Sequence, residues 1–231
     1  MKLKIYLFFL FTIIIGMCQC TPAIPKSIPT GEWSYTLFVN DVPVGTAKAS
    51  NYIVDKQYII RSELRMEVGD VTNIARQTIV ETLDFRPVRY ESHNSIISSG
   101  ETQEINTVAT FDGRKVTLRA DSSSATLTLP RDFMLDGNYF FSKLIEGKFK
   151  EGLTLTSHIY DPTIEQESLI PVTITVIGVE RIDIGGKSRQ LIHLTESIGN
   201  VKSIDLYLDE RGIMITTVIR MLNTAIVLIK D

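Results

Sequence analysis

Three histidines, His93, His158 and His193, are the residues of this chain best suited to metal or proton chemistry. They fall on three separate extended segments, and no two stand at i, i+2 or i, i+4, the spacings that put paired ligands on one face of a strand or helix. Asp161 follows His158 by three positions, but Pro162 comes next and the group reads as a turn. The serines at residues 98–99 and 122–124 sit in loop clusters. Gly-x-Ser-x-Gly, the strained strand-to-helix turn that presents a nucleophile, does not occur. Carboxylates at Glu165 and Glu167, and at Asp209 and Glu210, lie in loops with no opposing acid for paired hydrolysis. Gly185-Gly186 is a turn between extended segments, not a phosphate loop. Beyond residue 20 the chain has no thiol, so cysteine–histidine catalysis is excluded there. These residues predict a protein that is not an enzyme and that uses no metal and no cofactor.

The two cysteines, Cys18 and Cys20, suggest a different chemistry. Lys2 and Lys4 precede an apolar run over residues 5–15, broken by Thr12, and Gly16-Met17-Cys18-Gln19-Cys20 closes it. A basic end, an apolar stretch of about 7–15 residues and a small-residue exit mark a secretory signal peptide. The run is shorter than the ~20 residues of a spanning helix. Ile15-Gly16-Met17-Cys18 resembles a lipoprotein signal, in which the cysteine is acylated and becomes the first residue of the mature chain. Cys20 is the alternative frame. Met17 stands where a smaller residue is usual, and ordinary cleavage near Cys20, leaving no lipid, stays open beside acylation. Residues 1–20 are therefore a signal peptide, of lipoprotein type in the first reading. Residues 21–30, with Pro22, Pro25 and Pro29, are an extended tether. Residues 31–231 form one domain, since no linker divides them. The expected location is outside the cytoplasm, periplasmic or associated with the outer membrane through an acyl anchor.

The net charge of −3 becomes −5 when Lys2 and Lys4 leave with the leader. No basic stripe or run of like charge occurs, so a nucleic-acid partner is excluded. A hydrophobic fraction of 44% is too high for a disordered chain. A body of this length buries enough surface to fold without disulfides.

Extended segments must position whatever this protein binds. Residues 33–39 lead through Asn40-Asp41 into a resumed strand at 42–45, a hairpin signal. In residues 57–68, Tyr58, Ile60, Ser62, Leu64 and Met66 alternate with Arg61, Glu63, Arg65 and Glu67, the period of a half-buried strand. Residues 71–83, 88–97, 103–111, 115–120, 125–129, 154–160, 170–180, 188–196, 203–208 and 214–229 continue the theme. Asp112-Gly113 is the strongest two-residue turn. The expected class is mainly β: a single large antiparallel, strongly curved sheet or open barrel of eight to twelve strands, with one helix packed on or in it.

That helix is expected over residues 139–146, capped by Asp136 or Asn138 and stopped at Gly147. Its surroundings concentrate aromatic and branched side chains. Phe133, Leu135, Phe140, Leu144 and Phe149 are the expected lining for an apolar ligand, and core packing among themselves is the competing use of the same residues.

Gly31-Glu32-Trp33-Ser34-Tyr35, Asn40-Asp41-Val42-Pro43-Val44-Gly45, Asp84-Phe85-Arg86-Pro87-Val88, Phe111-Asp112-Gly113, Phe149-Lys150-Glu151-Gly152, Val176-Ile177-Gly178-Val179-Glu180 and Asp209-Glu210-Arg211-Gly212 together resemble the DUF3108 type of bacterial envelope protein. Such proteins are distantly similar to the curved-sheet lipoprotein carriers LolA and LolB, which hold acyl chains in a concave apolar cavity. The resemblance implies an exported, lipid-anchored, non-catalytic envelope protein that binds an apolar ligand or lipid. The alternative is a structural or protein-interaction component of the envelope with no small ligand.

Overall fold

Asn40 and Asp41 have φ of 49° and 66°, and Asp55 and Lys56 have 49° and 63°. Two successive residues at positive φ are what a type I′ hairpin turn demands, and its twist matches that of the flanking strands. Such turns string the chain into long hairpins in the computed structural model, which describes residues 23–135, 137–199, 202–221 and 224–231. The signal segment 1–20, with Cys18 and Cys20, lies outside the described residues, as do Thr21, Pro22 and Asp136.

Eight strands come first: β1 (Gly31–Val39), β2 (Val42–Val54), β3 (Gln57–Val68), β4 (Val71–Thr82), β5 (Pro87–Ser98), β6 (Glu101–Asp112), β7 (Lys115–Ala120) and β8 (Ser123–Thr128). The helix α1 (Asn138–Glu146) follows. Six more strands complete the chain: β9 (Thr154–Ile159), β10 (Ile170–Ile184), β11 (Lys187–Ile198), β12 (Lys202–Leu208), β13 (Met214–Met221) and β14 (Thr224–Lys230). All fourteen join one antiparallel sheet in the order β8-β7-β6-β5-β4-β3-β2-β1-β14-β13-β12-β11-β10-β9. Two meanders therefore meet where β1 pairs with β14, from Tyr35 opposite Lys230 to Val39 opposite Ile226.

The class matches the expectation, but the strand count exceeds it. The 214–229 segment is two strands, which adds to the count, and β2 runs on to Val54, well beyond the 42–45 stretch.

Edge strands β8 and β9 are linked through the connector rather than to each other. Met134 bridges Ile159 in parallel, donating its amide to the His158 carbonyl at 3.0 Å and accepting from the Tyr160 amide at 2.9 Å. Bulges at Leu37/Phe38, Val80/Glu81, Val176/Gly178 and Tyr207/Leu208 bend the sheet where they occur. Gly45 sits opposite Leu37 and Met66 beside the first of these, and a Cβ there would overlap the Arg65 carbonyl. Only glycine fits that approach.

Two clusters of side chains cover one face of the sheet. In one, Ile79, Tyr90, Ala109, Val116 and Leu118 of β4–β7 pack on Leu129, Phe133 and Leu135 of the connector and on Tyr160. In the other, Phe140 and Leu144 of α1 and Phe149 just beyond it cover Val172, Ile174 and Val176 of β10, Ile192 and Leu194 of β11 and Leu208 of β12. The helix bounds agree with the sequence reading to within a residue. Its start does not: the N-cap position is Gly137, with no side-chain hydrogen bond, and Asn138 is already helical and buried. At the other end the Gly147 amide donates to the Lys143 carbonyl at 2.9 Å. Among the described residues no helix is long and apolar enough to cross a membrane.

Candidate functional site

The five apolar residues singled out from the sequence divide between the two clusters. Phe133 and Leu135 belong to the first, while Phe140, Leu144 and Phe149 belong to the second. All five are buried. Phe133 packs against Phe111 and Tyr160 with ring centroids 5.7 and 5.6 Å away, and Phe149 meets Phe141 edge-on at 5.5 Å. Of the five, only Phe133 also reaches a cavity described below or at the rim, a polar-edged hollow of about 500 Å³ between the 82–87 turn and Arg114. Core packing occupies the rest.

Open apolar space lies between the clusters instead, against β1 and β2. Trp33 and Tyr35 of β1, Ala49 and Asn51 of β2 and Ile60 of β3 present alternate residues to one face. Pro29, Asn138 at the start of α1 and the Gly212–Ile213–Met214 corner close over them, leaving a hollow of about 230 Å³. None of its described lining residues is charged. The corner is held by Asp209, whose Oδ1 accepts from the Arg211 and Ile213 amides at 2.9 Å each. Gly212 has φ of 80°, and a Cβ on it would meet the ring of Phe141. Tyr35 is 3% exposed, and burial first, then the Asp209 charge, pushes its phenol up to about 12.

A second hollow of about 270 Å³ takes three consecutive residues from each of β1, β2, β3 and β4 and shares Trp33, Ala49 and Ser50 with the first. Its charged residues, Lys48, Arg61 and the Arg76–Glu63 ion pair at 2.7 Å, alternate with Trp33 and Ala49 along their strands and belong to the opposite face. The uncharged hollow alone, at about 230 Å³, lies just below the roughly 300–1,000 Å³ of ordinary ligand sites, so it suits a small ligand or part of a larger one.

Two buried amides stand at the back of the uncharged hollow. Asn51 Nδ2 donates to the Pro29 carbonyl at 3.0 Å and to Asn138 Oδ1 at 3.1 Å. The Pro29 carbonyl can only accept, so Asn51 must turn its amino group that way, and Asn138 must then answer with its oxygen. Asn51 Oδ1 and Asn138 Nδ2 are left buried without a hydrogen-bond partner among the described residues.

A polar network missed by sequence spacing occupies the opposite face of the second meander. His193 of β11 contacts Glu180 Oε1 through Nδ1 and Asp205 Oδ1 through Nε2, both at 3.0 Å, and stacks on Tyr207 at 4.4 Å. Arg220 of β13 closes on Asp205 from the other side. Both imidazole nitrogens face carboxylates, so the ring has no nitrogen left to activate a nucleophile. Only cross-strand register brings these residues together, with His193 opposite Tyr207 and Gly178. His93 contacts Asn106 Oδ1 at 2.7 Å, and His158 lies 3.4 Å from Arg131. Among the described residues no group of three histidine, cysteine or acidic side chains is arranged to hold a metal.

No protein-family model and no curated protein matches the chain. Its fold matches that of a β-barrel-like protein of a domain of unknown function, DUF1849, from Brucella abortus. That match has a TM-score of 0.64 at 11% identity over 90% of this chain and 97% of the other. A DUF1089 family protein from Pseudomonas aeruginosa aligns with a TM-score of 0.40 at 13% identity, over 82% of this chain and 90% of its own. A candidate exported protein of YmcC-like fold from Bacteroides fragilis gives 0.32 at 6% identity, over 91% and 98%. The first of these defines a shared fold, a curved β architecture known in a protein of unknown function.

Proposed function

We propose that this chain is an exported envelope protein that carries out no chemistry and holds an apolar ligand against one face of its sheet. The observation that carries the reading is the uncharged hollow beside Trp33, open between two filled cores. A lipid or similar apolar molecule suits such a lining, because each methylene removed from water contributes about 0.8 kcal/mol.

The N-terminal sequence supports the envelope setting. A leader ending in Cys18, with Cys20 as the alternative, would carry acyl chains and hold the protein on a membrane, in the periplasm or at the outer membrane. The DUF3108-like turn sequences agree with that compartment. The tether leads to the hollow: Pro25 is buried, and Pro29 belongs to the lining. An anchored protein would then present its ligand site close to the point of attachment.

Val68, Val71, Ile96 and Ile105 favour the second reading, a protein-interaction component of the envelope. They share the face of Leu64 and Ala75 at the far end of β3–β6 and are 36–51% exposed.

Native mass spectrometry of protein taken from its own membrane fraction tests the proposal. The expected result is a lipid adduct that denaturation releases, on a chain beginning at Cys18 or Cys20 with acyl groups attached. A ligand-free chain recovered together with a stoichiometric protein partner would overturn the carrier reading in favour of the second. An unacylated start near Thr21 would remove the anchor alone.

A further inference from the structure

We infer that the hollow beside Trp33 selects an amphiphile whose head is uncharged and both donates and accepts hydrogen bonds, an alcohol or an amide, through Asn51 Oδ1 and Asn138 Nδ2. This rests on the reading of the hollow as a ligand site and adds the class of ligand. Two independent features point to it.

The first is the lining. No described residue around this hollow carries a charge that could neutralise a carboxylate, phosphate or ammonium head. An ion moved into such surroundings without a partner loses its hydration with nothing in return, so charged heads are disfavoured. Tyr35, the one acidic group in the lining, keeps its proton at any physiological pH because burial holds its phenol at about 12.

The second is the amide pair. Asn51 and Asn138 are each 7% exposed, and each has one polar atom left over. The leftover atoms are an acceptor on Asn51 and a donor on Asn138. Their orientation is not arbitrary, since the Pro29 carbonyl fixes Asn51 and Asn51 fixes Asn138. Buried amide atoms without partners are rare in folded proteins and point to a group that arrives later. A head that accepts from Asn138 and donates to Asn51 matches both, and a hydroxyl or a primary or secondary amide does so with no charge. Neither leftover atom is wetted, so the Asn138 amide must turn about its last torsion to meet the head. That movement gives up the bond from Asn51 Nδ2 to Asn138 Oδ1 and replaces it with bonds between the two amides and the head.

Trp33 supplies the readout, because it is the only tryptophan in the chain and lies in the wall of the hollow. Heavy-atom quenching of its fluorescence by ω-bromo-undecanol and by ω-bromo-undecanoate at neutral pH compares heads on the same chain. The expected result is saturable quenching by the alcohol, with the carboxylate weaker by about tenfold or more. Replacing Asn51→Leu is expected to weaken the alcohol about tenfold, to the level of ω-bromo-undecane. Asn138→Leu, which leaves Asn51 its bond to Pro29, is the second variant if the first does not fold by circular dichroism. Equal affinity for alcohol and carboxylate would overturn the inference and leave the apolar site standing. Alcohol binding unchanged in a folded Asn138→Leu protein would also overturn it. Absence of saturable quenching by any of the three probes would remove the ligand site itself.

Discussion

Tyr35, Tyr90 and Tyr160 show how strongly this fold isolates single side chains. Each is at most 3% exposed, and burial pushes each phenol up to about 12, with Asp209 assisting at Tyr35 and Asp161 at Tyr90 and Tyr160. In the unfolded chain these phenols ionise near 10, so between pH 10 and about 12 the unfolded state releases protons that the folded state keeps. Stability is therefore full below pH 10 and falls as pH rises toward 12. Phenolate absorbance followed beside circular dichroism checks this: late-titrating phenols should ionise together with unfolding, and Tyr90→Phe should move the alkaline midpoint upward. Titration of all tyrosines near pH 10 in a still-folded protein would contradict the burial argument. His193 presents a second test at this scale. His193→Leu removes the ring between Glu180 and Asp205 and should destabilise the protein by about 1–3 kcal/mol in denaturant melts, although Arg220 still pairs with Asp205. A neutral effect would mean that the network contributes no stability. Neither the histidine network nor the Asn51–Asn138 pair was legible in the sequence. Their members stand 12, 13 and 87 residues apart, and only strand register and the helix position bring them together.

Single elements were the most legible level, because turn chemistry is local. Asn40-Asp41 and Gly185-Gly186 fall at observed turns, the turn expected at Asp112-Gly113 lies one residue later at Gly113-Arg114 because Asp112 still pairs with Lys115, and α1 agrees within a residue. Gly137 at the helix start was not anticipated, since Asn138 is drawn away from capping by Asn51. Two glycine substitutions separate rigid from adjustable contacts. Gly45→Ala sets a methyl against the Arg65 backbone, which cannot move without breaking the β2–β3 ladder, and should cost about 3 kcal/mol. Gly212→Ala meets the ring of Phe141 as well as an unfavourable φ, so Phe141→Leu should recover part of its loss. Thermal melts of the three variants and the double variant check this. Rescue of Gly45→Ala by shortening Arg65 would contradict the backbone assignment. Leu144→Ala, in the middle of the second core, should cost about 2–5 kcal/mol by the same measurement.

At the scale of the molecule, the two meanders depend on each other in two places. Strand β14 joins β1 across the full sequence, Leu37 opposite Leu228, and Tyr160 of the second meander is buried in the core of the first. Tyr90 Oη also donates to Asp161 Oδ1 at 3.0 Å across the same boundary. Unfolding should therefore be a single transition, with Trp33 fluorescence and far-ultraviolet ellipticity coinciding, and removal of residues 224–231 should expose the β1 and β13 edges and drive aggregation. Two separated transitions would show that the meanders are independent. The sequence revealed a large curved antiparallel sheet but not this closure, because strand alternation reports faces and not neighbours. For the same reason it directed attention to the aromatic residues around α1, where hydrophobic mass is greatest. The hollow lies where the two cores leave the sheet uncovered, and its marker is the lone Trp33.

That hollow is the centre of the account, and the emission of Trp33 before and after delipidation tests it most directly. Protein purified from its own envelope should shift its emission to longer wavelength when bound lipid is extracted, and return when the extract is restored. Emission indifferent to extraction, from a protein that remains folded, would contradict the claim that Trp33 walls a ligand site.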